Sequence, residues 1–365
     1  MIPLCIPEIS GNEWKYIKEC LDTNWVSSAG SYVNKFEEDF AKHIGSKKAV
    51  VTMNGTAALE LALRALGIGN GDEVIVSSMT FISPVNTIRY VGAEPVFVDV
   101  CRDTYVMDAE KVEELITPRT KAIMPVHIYG HPVDMDKIME IASKYNLYVI
   151  EDATEGLGSV YKGRELGSIG DVGCFSFNGN KLITTGAGGM LTTNNEMLGE
   201  KAKYLSTQTK KVLKNGAFYH EEIGYNYRMP NLLAAMGCAQ LENIERYIEI
   251  KRKNANLYNT LLSDVKGITI PVEKDKVKNV YWLYSILVED EYPLSRDELI
   301  YKLRENGIES RTFFMPVHKM PPYVGSRHGD MLITNEISEK GINLPSSVGL
   351  TDNDIIKVIN IIKSI

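Results

Sequence analysis

Between residues 48 and 195, short and nearly continuous apolar runs alternate with helix-forming segments, and this alternation restricts the fold more than any other feature of the chain. The run Val50-Val-Thr-Met53 meets Asn54-Gly-Thr56 and then residues 57–66, a string of strong helix formers stopped by Gly67. Residues 73–76, 94–99, 121–127, 147–152, 173–177 and 189–193 read as further strands, with helical patterns such as 134–144 between them. Strands without a polar alternation are buried on both faces. The pattern therefore predicts an α/β domain: a mostly parallel sheet with helices covering either side.

The pattern changes after Pro230. Apolar side chains at helical spacing (Leu233, Met236, Leu241, Ile244, Ile248, Ala255, Tyr258) predict one long or kinked helix over 231–262. A strand over 280–288 follows. Ser295 and Glu298 form a capping box for a helix stopped by Gly307, residues 308–314 read as a strand, and Thr351 caps a last helix. This suggests a large domain over 1–244, including an N-terminal arm, and a smaller α+β domain over 245–365. A chain of 365 residues, 44% hydrophobic, can fill two such cores.

Charge and composition exclude several classes. A net charge of −7 argues against non-specific nucleic-acid binding. The start has no basic segment followed by an apolar one, and no run of about 18 apolar residues exists, so neither a secretory leader nor a membrane span is expected. Five scattered cysteines without CxxC spacing suggest reduced thiols and a cytoplasmic protein. Six histidines without clustered spacing give no reason to expect a metal.

Candidate chemistry gathers near the strand ends. Lys181 follows the apolar run 173–177 and precedes Gly186-Ala-Gly-Gly189, where glycines permit close backbone approach to a ligand. Position alone leaves it open between a solvated lysine and a nucleophile. Asp152 ends an earlier strand, where carboxylates of parallel sheets face ligand crevices, although it could equally cap the next segment. A lysine that condenses with an aldehyde and a carboxylate that keeps a pyridine nitrogen protonated are the two protein groups that pyridoxal 5'-phosphate requires. Asn54-Gly55-Thr56 opens a helix whose free N–H groups suit a phosphate, and Ser176 could add a hydroxyl. Phe81 could stack on a cofactor face or belong to the core.

With these residues in place, the chain resembles the sugar-nucleotide aminotransferases of the DegT/DnrJ/EryC1/StrS family, which have the type I, or aspartate aminotransferase, fold. The matching motifs are Asn54-Gly-Thr-Ala-Ala58, Gly71-Asp-Glu-Val74, Glu151-Asp152-Ala153 with Gly158, Phe175-Ser-Phe177 with Lys181, Gly224-Tyr-Asn-Tyr-Arg-Met229, and Gly307-Ile-Glu-Ser-Arg311 with Pro316 and His318. The resemblance implies that Lys181 links pyridoxal phosphate covalently and shuttles a proton, and that Asp152 holds the ring nitrogen. It implies that Gly55, Thr56 and Ser176 bind the phosphate, that Phe81 stacks on the ring, and that Glu155 lies near the cofactor hydroxyl. Asn226 would reach the phosphate in a neighbouring subunit, giving a homodimer with shared active sites. Related dehydratases carry histidine at the position of Lys181, so lysine favours transamination, with pyridoxamine phosphate as the alternate cofactor form. Many relatives have Gly-Glu-Gly-Gly where this chain has Gly186-Ala187-Gly-Gly, so any role of that carboxylate is absent.

Two subgroups match best, both aminating C4 of a 4-keto-6-deoxy nucleotide sugar with L-glutamate as donor. Residues 311–323 and 123–131 are similar to enzymes acting on GDP-4-keto-6-deoxymannose. Residues 176–181, 206–209 and 222–227 are similar to enzymes acting on UDP-4-keto-6-deoxy-N-acetylhexosamines, and Trp25-Val-Ser-Ser28 resembles the latter too. The GDP sugar is the preferred expectation; amination at C3, or a non-catalytic nucleotide-sugar binding protein, are the alternatives. Asn180, Trp25, Arg228 and His318 are candidate sugar-nucleotide contacts. They could instead be a turn residue, a core aromatic, an ion-pair partner and a packed imidazole.

Overall fold

A computed structural model describes all 365 residues. Strands β1 (Lys48–Thr52), β2 (Glu73–Ser77), β3 (Glu94–Val98), β4 (Thr120–Met124), β5 (Tyr148–Asp152), β6 (Val172–Ser176) and β7 (Gly189–Thr193) form one sheet in the order β1-β7-β6-β5-β4-β2-β3. β7 is antiparallel to both of its neighbours, and the other six strands share one direction. Every residue of β2 and β7 is buried, as their unbroken apolar character requires. Helix Gly55–Ala65 crosses the sheet against β1, β5, β6 and β7, and Met135–Tyr145 packs on β4 and β5.

A short ribbon, β8 (Lys210–Val212) and β9 (Phe218–His220), stands out from the body with all six residues exposed. Beyond it the predicted long helix is kinked into Asn231–Leu241 and Ile244–Leu262. The second piece bridges two hydrophobic clusters. Ile244, Tyr247 and Ile248 pack in the larger one with the main sheet, while Ala255, Tyr258 and Leu262 pack in the smaller. The smaller cluster is closed by an antiparallel sheet, β10 (Ile268–Thr269), β11 (Tyr284–Val288), β13 (Gly341–Leu344) and β12 (Arg311–Thr312), in that order. The capping boxes form: Ser295 with Glu298 heads Arg296–Glu305, and Thr351 with Asp354 heads Asp352–Lys363.

Three strands are shorter than their sequences suggest, each for a physical reason. The run 121–127 leaves the ladder after Met124 because Pro125 has no N–H to give. Residues 280–283 are not strand: Tyr281 sits at φ +52°, with its N–H bonded to the Asn279 side chain, so β11 starts only at Tyr284. Of 308–314 only Arg311 and Thr312 pair as a strand, because Phe313 and Phe314 turn their rings onto Tyr129.

Glu151 ties the end of β5 to the loop before β6. It is fully buried and accepts N–H bonds from Gly167, Ile169 and Gly170 at 2.7–2.9 Å. The His127 ring accepts the Val133 N–H at Nδ1, so its proton lies on Nε2 and donates to Glu151 at 3.2 Å. Burial pushes the Glu151 carboxyl up, but His127 and the backbone donors outweigh it and hold the group below its ordinary value. A depressed carboxyl stabilises the fold above its unfolded pKa, and that contribution fades as pH falls through the folded value. Glu151→Gln should therefore cost roughly 2–4 kcal/mol at pH 7. In urea unfolding, the gap from the wild type should narrow as the solution is made acidic.

Candidate active site

Six strands with a common direction deliver their carboxyl ends to one edge of the sheet, and a cleft of about 290 Å³ opens there. After β1, Asn54 caps the helix Gly55–Ala65 by accepting the Ala57 N–H, leaving the first amides of that helix facing the cleft. Gly55 has to be glycine, since a Cβ would stand 2.8 Å from the Ser176 Cβ and 3.3 Å from the Phe175 carbonyl. Thr56 shares a 2.9 Å hydroxyl contact with Ser83. Gly55, Thr56 and Ser176 thus form a cradle of N–H and O–H groups in which no side chain supplies a negative charge.

Asp152, 3% exposed, lies at the end of β5 on the opposite face from Glu151. Its only hydrogen-bond partner is Thr154, whose N–H lies 3.1 Å away. The segment after it is a turn rather than a helix, so this is an Asx turn and not a helix cap. Burial pushes the Asp152 carboxyl up, against the pull of Thr154 and Lys181. Glu155 is also raised by burial, with Lys181 and the Tyr129 N–H opposing. The Lys181 ammonium sits 3.3 Å from Glu155 Oε1 and 3.8 Å from the centre of the Trp282 ring. Phe81 is 55% exposed in the cleft with its ring edge-on to Phe314, so it is not a core aromatic.

Of the residues singled out from sequence, Gly55, Thr56, Phe81, Asp152, Glu155, Ser176, Asn180 and Lys181 all line this cleft. Four do not. Arg228 lies 3.1 Å from Glu37 in a partly buried ion pair. His318 Nδ1 is bonded to the Ser78 hydroxyl at 2.7 Å. Trp25 is exposed beside a separate cavity with Glu19 and Tyr32. Asn226 is exposed, bridged to Thr207. Arg228 and His318 thus each have a partner within the chain, and Trp25 is neither a core aromatic nor part of the cleft. Trp282, Arg311 and Phe314 line the cleft without having been predicted as site residues. Trp282 and Phe314 stood in aromatic runs that read as core strand, and Arg311 had only a motif position to mark it. None of the arginine ion pairs involves Arg311, and Ala187 also lines the cleft.

The model of the DegT/DnrJ/EryC1/StrS aminotransferase family matches residues 7–363. GDP-perosamine synthase of Caulobacter vibrioides is 45% identical over 98% of this chain and 96% of its own length. The enzyme of that name from Vibrio cholerae is 41% identical over 100% and 99%. A solved structure of a putative sugar aminotransferase from Streptococcus pneumoniae, in its PMP form, superposes with a TM-score of 0.93 at 27% identity, covering 100% of this chain and 98% of that one.

The two raised carboxyls make a stability prediction with a definite sign. A raised group favours folding below its unfolded pKa, and that support is lost as pH rises through the folded value. Apoprotein carrying Asp152→Asn should therefore melt above wild-type apoprotein at pH 8, the gap closing near pH 4, where carboxyls protonate in any case. Added pyridoxal phosphate should stabilise the wild type more than the variant, and thermal melts read both effects.

Proposed function

Because the chain belongs to the DegT/DnrJ/EryC1/StrS aminotransferase family, we propose that it transfers an amino group from L-glutamate to C4 of GDP-4-keto-6-deoxymannose, giving GDP-perosamine for a surface polysaccharide such as O-antigen. The chain is a pyridoxal phosphate-dependent aminotransferase. End-to-end likeness to GDP-perosamine synthases carries the choice of sugar.

The residues present fit the cofactor. A cradle that a single Cβ would fill suits a phosphate, and a buried, under-bonded carboxylate suits a pyridinium N–H. When bound, pyridoxal phosphate supplies an aldehyde that takes up the amine and a ring that draws electrons from an adjacent C–H. The amides at the start of helix Gly55–Ala65 and the hydroxyls of Thr56 and Ser176 would hold the phosphate. Asp152 would keep the ring nitrogen protonated, with Phe81 and Glu155 as further cofactor contacts. Lys181 Nζ would supply the amine for the covalent link and the group that moves the proton. Arg311 is a guanidinium available to an anionic group of either substrate.

A cleft of about 290 Å³ is at the small end for ligand sites. This supports a homodimer in which the partner completes the site. The ribbon β8–β9 and its surroundings expose Val212, Phe218, Tyr219 and Ile223, the last by 82%. Such a patch on an isolated two-stranded ribbon calls for a covering surface. Asn226 follows the ribbon and is the proposed donor to the neighbouring phosphate.

Lys181→Ala should leave no borohydride-trapped cofactor and lower turnover by at least about 10³-fold, the scale of a positioned proton carrier. Product analysis by NMR should show a C4 amine from GDP-4-keto-6-deoxymannose; faster amination of the UDP-N-acetyl analogue would refute the sugar assignment. Light scattering should give twice the 40.8 kDa chain mass. Asn226→Ala should weaken cofactor binding, and a fully active monomer would rule out the shared site.

A further inference from the structure

The reactive lysine belongs to no regular element. Lys181 lies in a bend five residues past the end of β6, and its backbone N–H is bonded to the Asn178 carbonyl. A side chain so placed needs tethers, because misplacement by about 1 Å costs on the order of 10²-fold in rate. Two tethers converge on the carbonyl immediately before it. Trp282 Nε1–H donates to the Asn180 carbonyl at 2.8 Å, and the Cys5 thiol donates to the same oxygen at 3.2 Å.

Trp282 does more than hold the backbone. Its ring face lies under the Lys181 ammonium, 3.8 Å from ring centre to Nζ, so one indole grips both the peptide before the lysine and the head of the lysine itself. The indole is in turn fixed from behind. It is 3% exposed, and its own carbonyl accepts from Lys251 Nζ at 2.5 Å. Lys251 is buried, with Ser346 O as its second acceptor at 2.6 Å. The left-handed backbone at Tyr281 is what turns Trp282 out of the β11 ladder and into the cleft wall.

We propose that Trp282 is a positioning residue for Lys181: its N–H fixes the Asn180 carbonyl and its ring face seats the ammonium whenever the lysine is not linked to cofactor. A cation over a desolvated indole gains up to about 2 kcal/mol. With the 3.3 Å contact to Glu155, that is enough to hold the free amine against the cleft wall rather than in its open mouth. The inference rests on the reading of Lys181 as the cofactor-linking residue.

The test compares Trp282→Phe, which keeps a weaker ring face and loses the donor, with Trp282→Leu, which loses both. Stopped-flow absorbance follows covalent capture of pyridoxal phosphate by apoprotein, borohydride trapping confirms the linkage, and steady-state assays give kcat and KM. Capture and kcat should fall about 5-fold in the phenylalanine variant and about 50-fold in the leucine variant, with KM within about 3-fold. Equal losses in both variants, a loss confined to KM, or folded leucine variant capturing within about 2-fold of wild type would overturn the proposal. Should the leucine variant not fold, isosteric fluorotryptophans serve instead, since fluorine drains the ring face without changing its packing. Capture should slow with each added fluorine in the wild type, which has three tryptophans, and stay flat in Trp282→Phe grown on the same analogues. A flat series in the wild type would also overturn it. If wild-type protein itself traps no cofactor, the reading of Lys181 fails; if only the variants match wild type, the tether alone fails.

Discussion

At the carboxyl edge of the main sheet a carboxylate is buried with one hydrogen-bond partner, and a charge in that condition is tolerable only if something positive completes it. Asp152 is that group. Glu155, close by and also pushed up by burial, has Lys181 as its counter-ion. The fold carries this strain because the adjacent residue, Glu151, is saturated: three backbone N–H groups and the His127 ring hold it on the opposite face of the same strand. Two neighbouring carboxylates are thus separated by the pleat into a structural group and a group kept short of partners for a ligand.

Much of this was legible locally. Unbroken apolar runs with glycine and proline stops located all seven strands of the main sheet, and the Ser295–Glu298 box located a helix start, because those signals act within a few residues. The cleft residues that were foreseen all lie at or just past strand ends, where direction alone sends a side chain to the ligand edge. What was misread depends on contacts far apart in sequence. The run 280–288 is rich in residues that favour strands, yet its first four positions bend over the cleft because Gly130 lets that backbone approach and Tyr281 adopts a left-handed turn. The partners of Arg228 and His318 within the chain, Glu37 and Ser78, are likewise marked by nothing in the sequence.

The same distinction explains why the wall opposite the phosphate cradle escaped a sequence reading. Trp282 comes from the segment before β11, Arg311 from β12 and Phe314 from just past β12, and they reach the cleft only because the smaller sheet folds back onto the larger one. Ionic contacts pin this arrangement: Arg102 of the main-sheet region pairs with Glu289 and Glu336, and Asp99 accepts from Thr334 at the head of helix Leu332–Lys340. The site is therefore a property of how the two cores meet, as much as of any motif.

Nucleotide choice follows the same logic one step further out. The groups proposed to hold a phosphate and a pyridine ring are fixed by strand direction and address the cofactor, so they say little about the sugar. A nucleotide larger than the cleft is within reach only of side chains at its mouth, such as the exposed Arg311. Under the proposed dimer, the choice between a purine and a pyrimidine nucleotide falls to groups placed by the second chain.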